Sequence, residues 1–238
     1  MLQTIFSNIQ GLHFIFRFLH LFMGIIWIGI LYYFNYVQGA YFAEASPEGK
    51  ANVTAKLLPR AMWWFRWGAM WTFVTGALML MIRAHMDVSG AGVGVFATPF
   101  WINILTGATM GTLMFLNVWL IIHPAQKVVI ANAVAVAAGQ PANPAAAARG
   151  ARSGVASRTN TLLSIPMMFF MLATNHLGYA ITDNSKVSVY WIVALIIIFG
   201  IEFNAIKGKT GPMTTIKGVI TCGFALTAVF VVLLSVLM

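Results

Sequence analysis

The sequence predicts an all-α, polytopic membrane protein: a bundle of about six transmembrane helices with both termini in the periplasm. Composition, six long apolar segments and the placement of basic residues predict it. Of 238 residues, 60% are apolar and only 8% are charged. A soluble domain carries about 25% charged residues to cover its surface. The surface of this chain is therefore expected to face lipid.

Six segments are long and apolar enough to cross a bilayer, which takes about 20 residues for roughly 30 Å of hydrocarbon. Each is expected to be a helix, because lipid offers no partner to an open backbone. Residues 1–238 are predicted to form a single membrane domain. The Ala-, Pro- and Gly-rich stretch 128–157 is predicted to be a helical extension followed by a loose cytoplasmic linker. The six segments are Leu12–Tyr36, Trp63–Ile82, Phe100–His123, Leu162–Ala180, Val187–Ile206 and Ile216–Leu237.

Basic residues predict the orientation of the bundle. The chain holds 14 Lys and Arg against 5 Asp and Glu, a net charge of +9. They lie between the apolar segments, which indicates membrane orientation and not nucleic-acid binding. Eleven of them fall in or beside the first, third and fifth connections, the pattern of cytoplasmic loops in a bacterial inner membrane. The eleven are Lys50, Lys56, Arg60, Arg66, Lys127, Arg149, Arg152, Arg158, Lys207, Lys209 and Lys217; the other three are Arg17, Arg83 and Lys186.

Cysteine usage excludes several kinds of site. The single cysteine, Cys222, lies inside an apolar segment. One cysteine permits neither a disulfide within the chain nor the Cys-x-x-Cys-His attachment of a c-type haem.

Five histidines lie in or beside the apolar segments. With the predicted topology, His13, His20, His85 and His176 fall in the outer half of the membrane or at its outer edge. Only His123 lies at the cytoplasmic end, where a structural role is expected. Ionisable groups in transmembrane segments are costly and usually face the bundle interior, so the four outer histidines are candidates for function.

His20 carries the strongest pattern, because Arg17 at i−3 and Gly24 at i+4 share its helical face with His13 at i−7. A haem b site needs an imidazole ligand, a small residue against the macrocycle and a cation near the water boundary for the propionates. His20, Gly24 and Arg17 supply these parts in that order, and the guanidinium fork suits a carboxylate. The alternative is a neutral histidine bonded to a neighbouring helix, with Gly24 serving close helix packing.

His176 is the candidate for the second axial ligand, opposite His20. Facing helices of a bundle commonly hold a haem between them. Alternatively, His176 and the adjacent Asn175 form a polar cluster that bonds across helices.

His85 and Glu202 carry weaker patterns. His85 stands two residues from Asp87, which can orient an imidazole, so it either ligates a second haem with His13 or is solvated. Glu202 is expected to pair with Lys207 or another nearby basic residue.

Several blocks of sequence resemble the membrane domain of cytochrome-c-linked urate oxidases, the urate oxidase N-terminal or urate hydroxylase family. The first runs from Arg17 to Gly29 and contains His20, and the last contains His176. In order, the blocks are 17–29, 58–67, 75–76, 117–118, 122–127, 139–141, 157–166 and 171–176.

The resemblance implies a membrane oxidoreductase that passes electrons from a purine to cytochrome c, with His20 and His176 at matching positions. The family's C-terminal cytochrome c domain has no counterpart here, and the connection between the first two segments is shorter than in the family. The leading hypothesis is therefore a haem b electron carrier that exchanges electrons at the periplasmic face with a separate cytochrome c or a larger complex. Urate oxidation by the chain itself is a further option. The alternative is a cofactor-free accessory subunit of a respiratory or photosynthetic membrane complex.

Overall fold

The computed structural model describes residues 8–238, which fold into a bundle of long helices without a β-strand in that range. Short 3-10 turns, Val93–Ala97 and Gly211–Thr214, lie in two of the connections. The six long helices are α1 (Ile9–Glu44), α2 (Pro47–Ala91), α3 (Pro99–Ala137), α4 (Ala146–His176), α5 (Asn184–Lys207) and α6 (Ile216–Leu237).

Five of these helices, all except α4, are long and apolar enough to cross a membrane, which confirms the membrane-type helical class. Helix α4 differs because it is the most polar and lies centrally, packed on α3, α5 and α6. Its residues Thr159, Asn160, Thr161 and Ser164 are completely buried. Polar side chains that face other helices lower the apolar content of α4 without exposing it to lipid.

Five of the six predicted segments fall within these helices, and the sixth, Leu162–Ala180, runs four residues past the end of α4 at His176. Most of the helices extend beyond the predicted segments, whereas α6 coincides with its segment. Helices α1 and α2 contain 36 and 45 residues, more than the roughly 20 that a crossing requires. The stretch 128–157, predicted to end in a loose linker, is mostly helical. Helix α3 continues to Ala137 and α4 begins at Ala146, so only residues 138–145 connect them.

Glycines set the closest helix contacts. A Cβ on Gly68 of α2 would lie 3.2 Å from the backbone nitrogen of Trp27 in α1. A Cβ on Gly107 of α3 would lie 3.2 Å from the Met167 carbonyl oxygen of α4. Helices α1 and α2, and likewise α3 and α4, are therefore closely packed pairs in which small residues let the backbones approach. A Cβ on Gly223 of α6 would meet the Cδ1 atom of Ile165, so α6 also packs closely on α4.

Helix α5 has a capping residue, Asp183, that lies outside the predicted apolar segments. The Asp183 carboxylate accepts hydrogen bonds from the backbone nitrogen (2.9 Å) and hydroxyl (2.7 Å) of Ser185. These bonds stabilise the charged form and hold the pKa of Asp183 below its usual value. The cap fixes where the chain enters α5.

The two ends of the bundle differ in character. One half, which we call the histidine half, carries His13, His20, His85 and His176. The other, the network half, carries cross-helix hydrogen bonds and three π-helical turns, a form that is often found at functional sites. These turns are Tyr33–Gln38, Val53–Leu57 and Asn117–Ile122.

Candidate functional site

His20 is on α1, and its ring packs between α1 and α2, where it bonds to the backbone of α2. Its Nδ1 atom is 2.8 Å from the Thr72 carbonyl oxygen, and the Thr75 hydroxyl is 3.4 Å away. A carbonyl oxygen only accepts, so Nδ1 carries the proton and donates. The Nε2 atom of the neutral ring then keeps its lone pair, and no hydrogen bond to it is formed within residues 8–238. Metal-ligating histidines are oriented in this way by a bond from the other ring nitrogen.

Gly76 makes the space that the His20 ring occupies. A Cβ at this position would lie 2.9 Å from His20 Cε1 and 3.1 Å from Nδ1. Any larger residue would force the imidazole to move. Position 76 therefore determines where the His20 ring stands, a role that its place in the resembling blocks does not reveal.

Gly24 faces α2, where a Cβ would lie 3.8 Å from Thr72 Cγ2. This is the helix-packing role that the sequence left as an alternative to a macrocycle contact. Arg17 is exposed at the end of the histidine half. His13 lies near Arg17 and near Arg83 of α2. A cation therefore stands at the edge of the membrane segment on the side of His20.

His176 is the last residue of α4 and is exposed. Its position along the bundle can be compared with that of His20 through a contact deeper in the bundle. There, the hydroxyl oxygens of Tyr32 and Ser164 are 2.9 Å apart. His20 precedes Tyr32 by twelve residues on α1, and His176 follows Ser164 by twelve on α4. At 1.5 Å per residue, the Cα atoms of His20 and His176 each lie about 18 Å along their own helices from those of Tyr32 and Ser164. The two histidines are therefore at similar levels, one on α1 and the other on α4.

The sequence offered Asp87 as the carboxylate that could orient His85, whereas in the structure Asp87 bonds to other residues. His85 is exposed on the outer turns of α2. The Asp87 carboxylate accepts from Arg83 Nε (2.8 Å) and from Trp101 Nε1 of α3 (3.0 Å), so its bonds join α2 to α3. No hydrogen bond between Asp87 and His85 is present in the described part of the chain.

Within residues 8–238, no three His, Cys, Asp or Glu side chains converge on a common point where a metal ion could bind. A haem iron needs at most two axial side chains from the protein, so the candidate pair of histidines does not depend on such a cluster.

The pattern of residues did not reveal a buried polar network in the other half of the bundle. The Asn117 side-chain amide donates to Asn160 Oδ1 and to Glu202 Oε2, both at 2.9 Å. The Asn160 amide in turn donates to the Met114 carbonyl oxygen at 2.9 Å. The expected ion pair of Glu202 with Lys207 is wrong, because Arg83–Asp87 is the sole ion pair within 4.0 Å among the described residues. Glu202 lies on the bundle-facing side of α5, where an asparagine reaches it and the lysine does not.

His123 lies in the network half, apart from the other histidines, in agreement with its predicted place. Its Nε2 atom is 2.6 Å from Arg66 Nη1, and its ring is parallel to that of Trp119 at 6.3 Å between centroids. Because arginine is always protonated and can only donate, Nε2 of His123 accepts. This group links α2 to α3 in the network half.

Comparison with known proteins gives one match. The family model described as "Urate oxidase N-terminal" matches residues 97–235, more than half of the chain. The matched range includes His176, whereas His20 precedes it. No curated protein and no solved structure matches the chain.

Proposed function

Because the chain belongs to the urate oxidase N-terminal family, we propose that it is a membrane redox protein in which His20 and His176 ligate haem b. Such a group would supply one-electron chemistry. The proposed placement is the inner membrane of a bacterium, with six spans, both termini in the periplasm and electrons exchanged with a cytochrome c or a larger complex. Eleven basic residues at the network half support this orientation.

The orientation of His20 is the observation that carries the proposal. Its Nδ1 proton is held by the Thr72 carbonyl, and the glycine at position 76 leaves room for the ring. This arrangement fixes the tautomer and supports the proposal because it leaves the Nε2 lone pair available to a haem iron. A histidine that served only to join α1 to α2 would need no particular level on its helix, whereas His20 lies at a level similar to that of His176.

Four further residues have proposed roles in or near this site. The Arg17 guanidinium would pair with a propionate, since a planar fork matches a carboxylate. Thr75, whose hydroxyl is 3.4 Å from His20 Nδ1, would limit ring rotation. His13 and His85, on neighbouring turns of α1 and α2, are the candidates for a second haem.

A visible spectrum tests the proposal. The reduced-minus-oxidised spectrum of the purified protein is expected to contain b-type haem bands, and His20→Leu and His176→Leu should each remove or shift them. His123→Gln is the matched control, since glutamine can still accept from Arg66 at the opposite half. A well-folded, colourless wild-type protein would contradict the proposal.

Urate is the substrate to test first, because the family's description names its oxidation. Membranes that contain the protein would be mixed with urate and oxidised cytochrome c, and cytochrome c reduction would be followed. Urate-dependent reduction that His20→Leu abolishes would extend the proposal from electron carrier to cytochrome-c-linked urate oxidase. Haem bands without urate-dependent reduction would keep the carrier function alone.

A second candidate function is a cofactor-free accessory subunit of a respiratory or photosynthetic complex. The least covered helix, α1, favours it, since only 11% of its apolar window is buried. Its exposed residues include Phe14, Phe18, Leu21 and Ile25. Such a face fits either lipid or a partner helix. A colourless protein that co-purifies with other membrane subunits would favour this function over the first.

A further inference from the structure

A cavity of about 380 Å³ lies between α2 and α3 in the network half. Its polar lining comes from Arg66, His123, Gln126 and Lys127, and its remaining walls include Met62 and Ile130. None of the nine residues that line it is acidic. The cavity therefore combines two uncompensated cations with apolar walls.

Buried polar atoms beside the cavity have no partner among the described residues. They are Arg66 Nε and Gln126 Oε1, and Trp119 Nε1 behind the His123 ring has none either. The Arg66 guanidinium already uses Nη1 on His123 Nε2 and lies 5.4 Å from the ring centres of both Trp67 and Trp119. These contacts fix the guanidinium while its Nε–H group lacks an acceptor. Buried donors are normally satisfied, so an ordered water or a bound group is expected near this side chain.

The cavity stands at the level expected for lipid headgroups. The predicted crossing segment of α2 begins at Trp63, and that of α3 ends at His123; both residues line the cavity. Trp63 and Trp64 are half exposed, at 50% and 51%, as in the aromatic belts that mark a membrane interface. The cavity is therefore open to an amphiphile that arrives from the bilayer.

A second cavity of about 410 Å³ adjoins the first, and the two share Pro59 and Trp63 in their linings. The second is also lined by Arg60 and Trp64. A cation and two indoles next to the first cavity provide room for the rest of a headgroup and the start of its acyl chains. A small inorganic anion would leave this adjoining space unused.

We infer that this pair of cavities binds an anionic phospholipid, with its phosphate on Arg66 and Lys127. The phosphate would accept charge-assisted hydrogen bonds from the guanidinium of Arg66 and the ammonium of Lys127, both of which line the cavity. Basic pockets between helices on the cytoplasmic side of membrane proteins bind such headgroups. The apolar walls and Trp63 then receive the upper part of an acyl chain. The inference does not depend on haem or on electron transfer.

The test measures quenching of tryptophan fluorescence by phosphatidylglycerol with brominated acyl chains in neutral detergent micelles. Wild-type protein is expected to show saturable quenching at a low mole fraction of this lipid. The double variant Arg66→Gln/Lys127→Gln should need at least about ten-fold more lipid, since each basic residue contributes about 1 kcal/mol. The matched control Lys207→Gln/Lys209→Gln removes the same charge from the α5–α6 connection and should stay within about two-fold of wild type.

Each remaining arm either supports the inference or overturns it. Lys127 is exposed, so Lys127→Gln alone should fold normally and show an intermediate loss of affinity. Equal quenching by brominated phosphatidylcholine would overturn the inference, because the phosphate would then not be selected through its net charge. Displacement of the lipid by millimolar inorganic phosphate would assign the site to a free anion and overturn the lipid assignment. Wild-type affinity in the double variant would overturn it as well.

Discussion

The two halves of the bundle differ in how their polar side chains are used. In the network half, side chains bond across helices, as Asn35 Nδ2 does to Ser157 Oγ at 2.8 Å and Asn117 does to both Asn160 and Glu202. In the histidine half, His20 bonds to α2 through one ring nitrogen only, and His176 is exposed. The network half therefore uses many of its buried polar groups to join helices, although Arg66 Nε and Gln126 Oε1 have no partner among the described residues, whereas the Nε2 atom of His20 and the exposed His176 stay available to a ligand. Helix packing accounts for the cross-helix bonds, and the proposed haem would account for the available imidazoles.

The largest effect is expected from a substitution that moves the His20 ring while residue 20 remains a histidine. In Gly76→Ala, the new Cβ would stand 2.9 Å from His20 Cε1, so the ring must shift from its place beside the Thr72 carbonyl and its bond there is expected to weaken. Loss of an orienting contact to a metal ligand costs about 10–100-fold in metal affinity. We expect haem content, measured from the b-type bands of the purified variant, to fall by at least about ten-fold.

The control for this substitution is Gly200→Ala, a mid-helix glycine of α5 with nothing within 4 Å of its Cβ position. Its haem content should match that of wild type. Wild-type bands in Gly76→Ala would contradict the assignment of His20, because a ligand moved by steric contact cannot keep full occupancy.

A second substitution breaks the network half and should spare the haem. Asn160→Leu removes the bond from Asn117 and the bond to the Met114 carbonyl. Hydrogen bonds between membrane helices contribute about 0.6 kcal/mol each and at most about 1.7. We expect the unfolding free energy in detergent to fall by about 1–2 kcal/mol, with haem bands per folded protein unchanged.

Asn175→Leu is the matched control on the same helix, since Asn175 is exposed. It should leave the unfolding free energy within about 0.5 kcal/mol of wild type. Loss of haem in Asn160→Leu, at normal folding, would show that the two halves are not independent and that the contrast between them is false.

The helical class and the grouping of the histidines could be predicted from the sequence because composition and periodicity report them directly. His13, His20, His85 and His176 lie in one half because successive antiparallel helices return the chain to the same side. The network could not be predicted in the same way. Asn117 and Asn160 are 43 residues apart, and each alone reads as a tolerable polar residue in an apolar segment. Gly76 had no signal beyond its place in the resembling blocks, since only the packed ring of His20 explains it.

The Glu202 error has the same origin. Sequence proximity favours Lys207, five residues away. Residues that are five positions apart on a helix, however, point to different faces of it. Asn117, on a different helix, meets the carboxylate instead. An ion pair predicted from sequence proximity alone fails where the carboxylate faces another helix, as Glu202 does.

The smallest expected effect concerns the one polar link between α2 and α3 at the end of the histidine half. There, Asp87 accepts from Arg83 and from Trp101, and Arg83 lies 4.3 Å from the ring centre of Phe100. Arg83 and Asp87 are partly exposed, with side-chain exposures of 40% and 21%. Exposed ion pairs contribute about 0–1 kcal/mol.

Asp87→Asn keeps the shape and one acceptor oxygen for Trp101, so the unfolding free energy should fall by less than about 1 kcal/mol, as measured by denaturation in detergent. A loss as large as that of Asn160→Leu would mean that the histidine half is joined as firmly as the network half, and the availability of His20 and His176 would then need a different explanation.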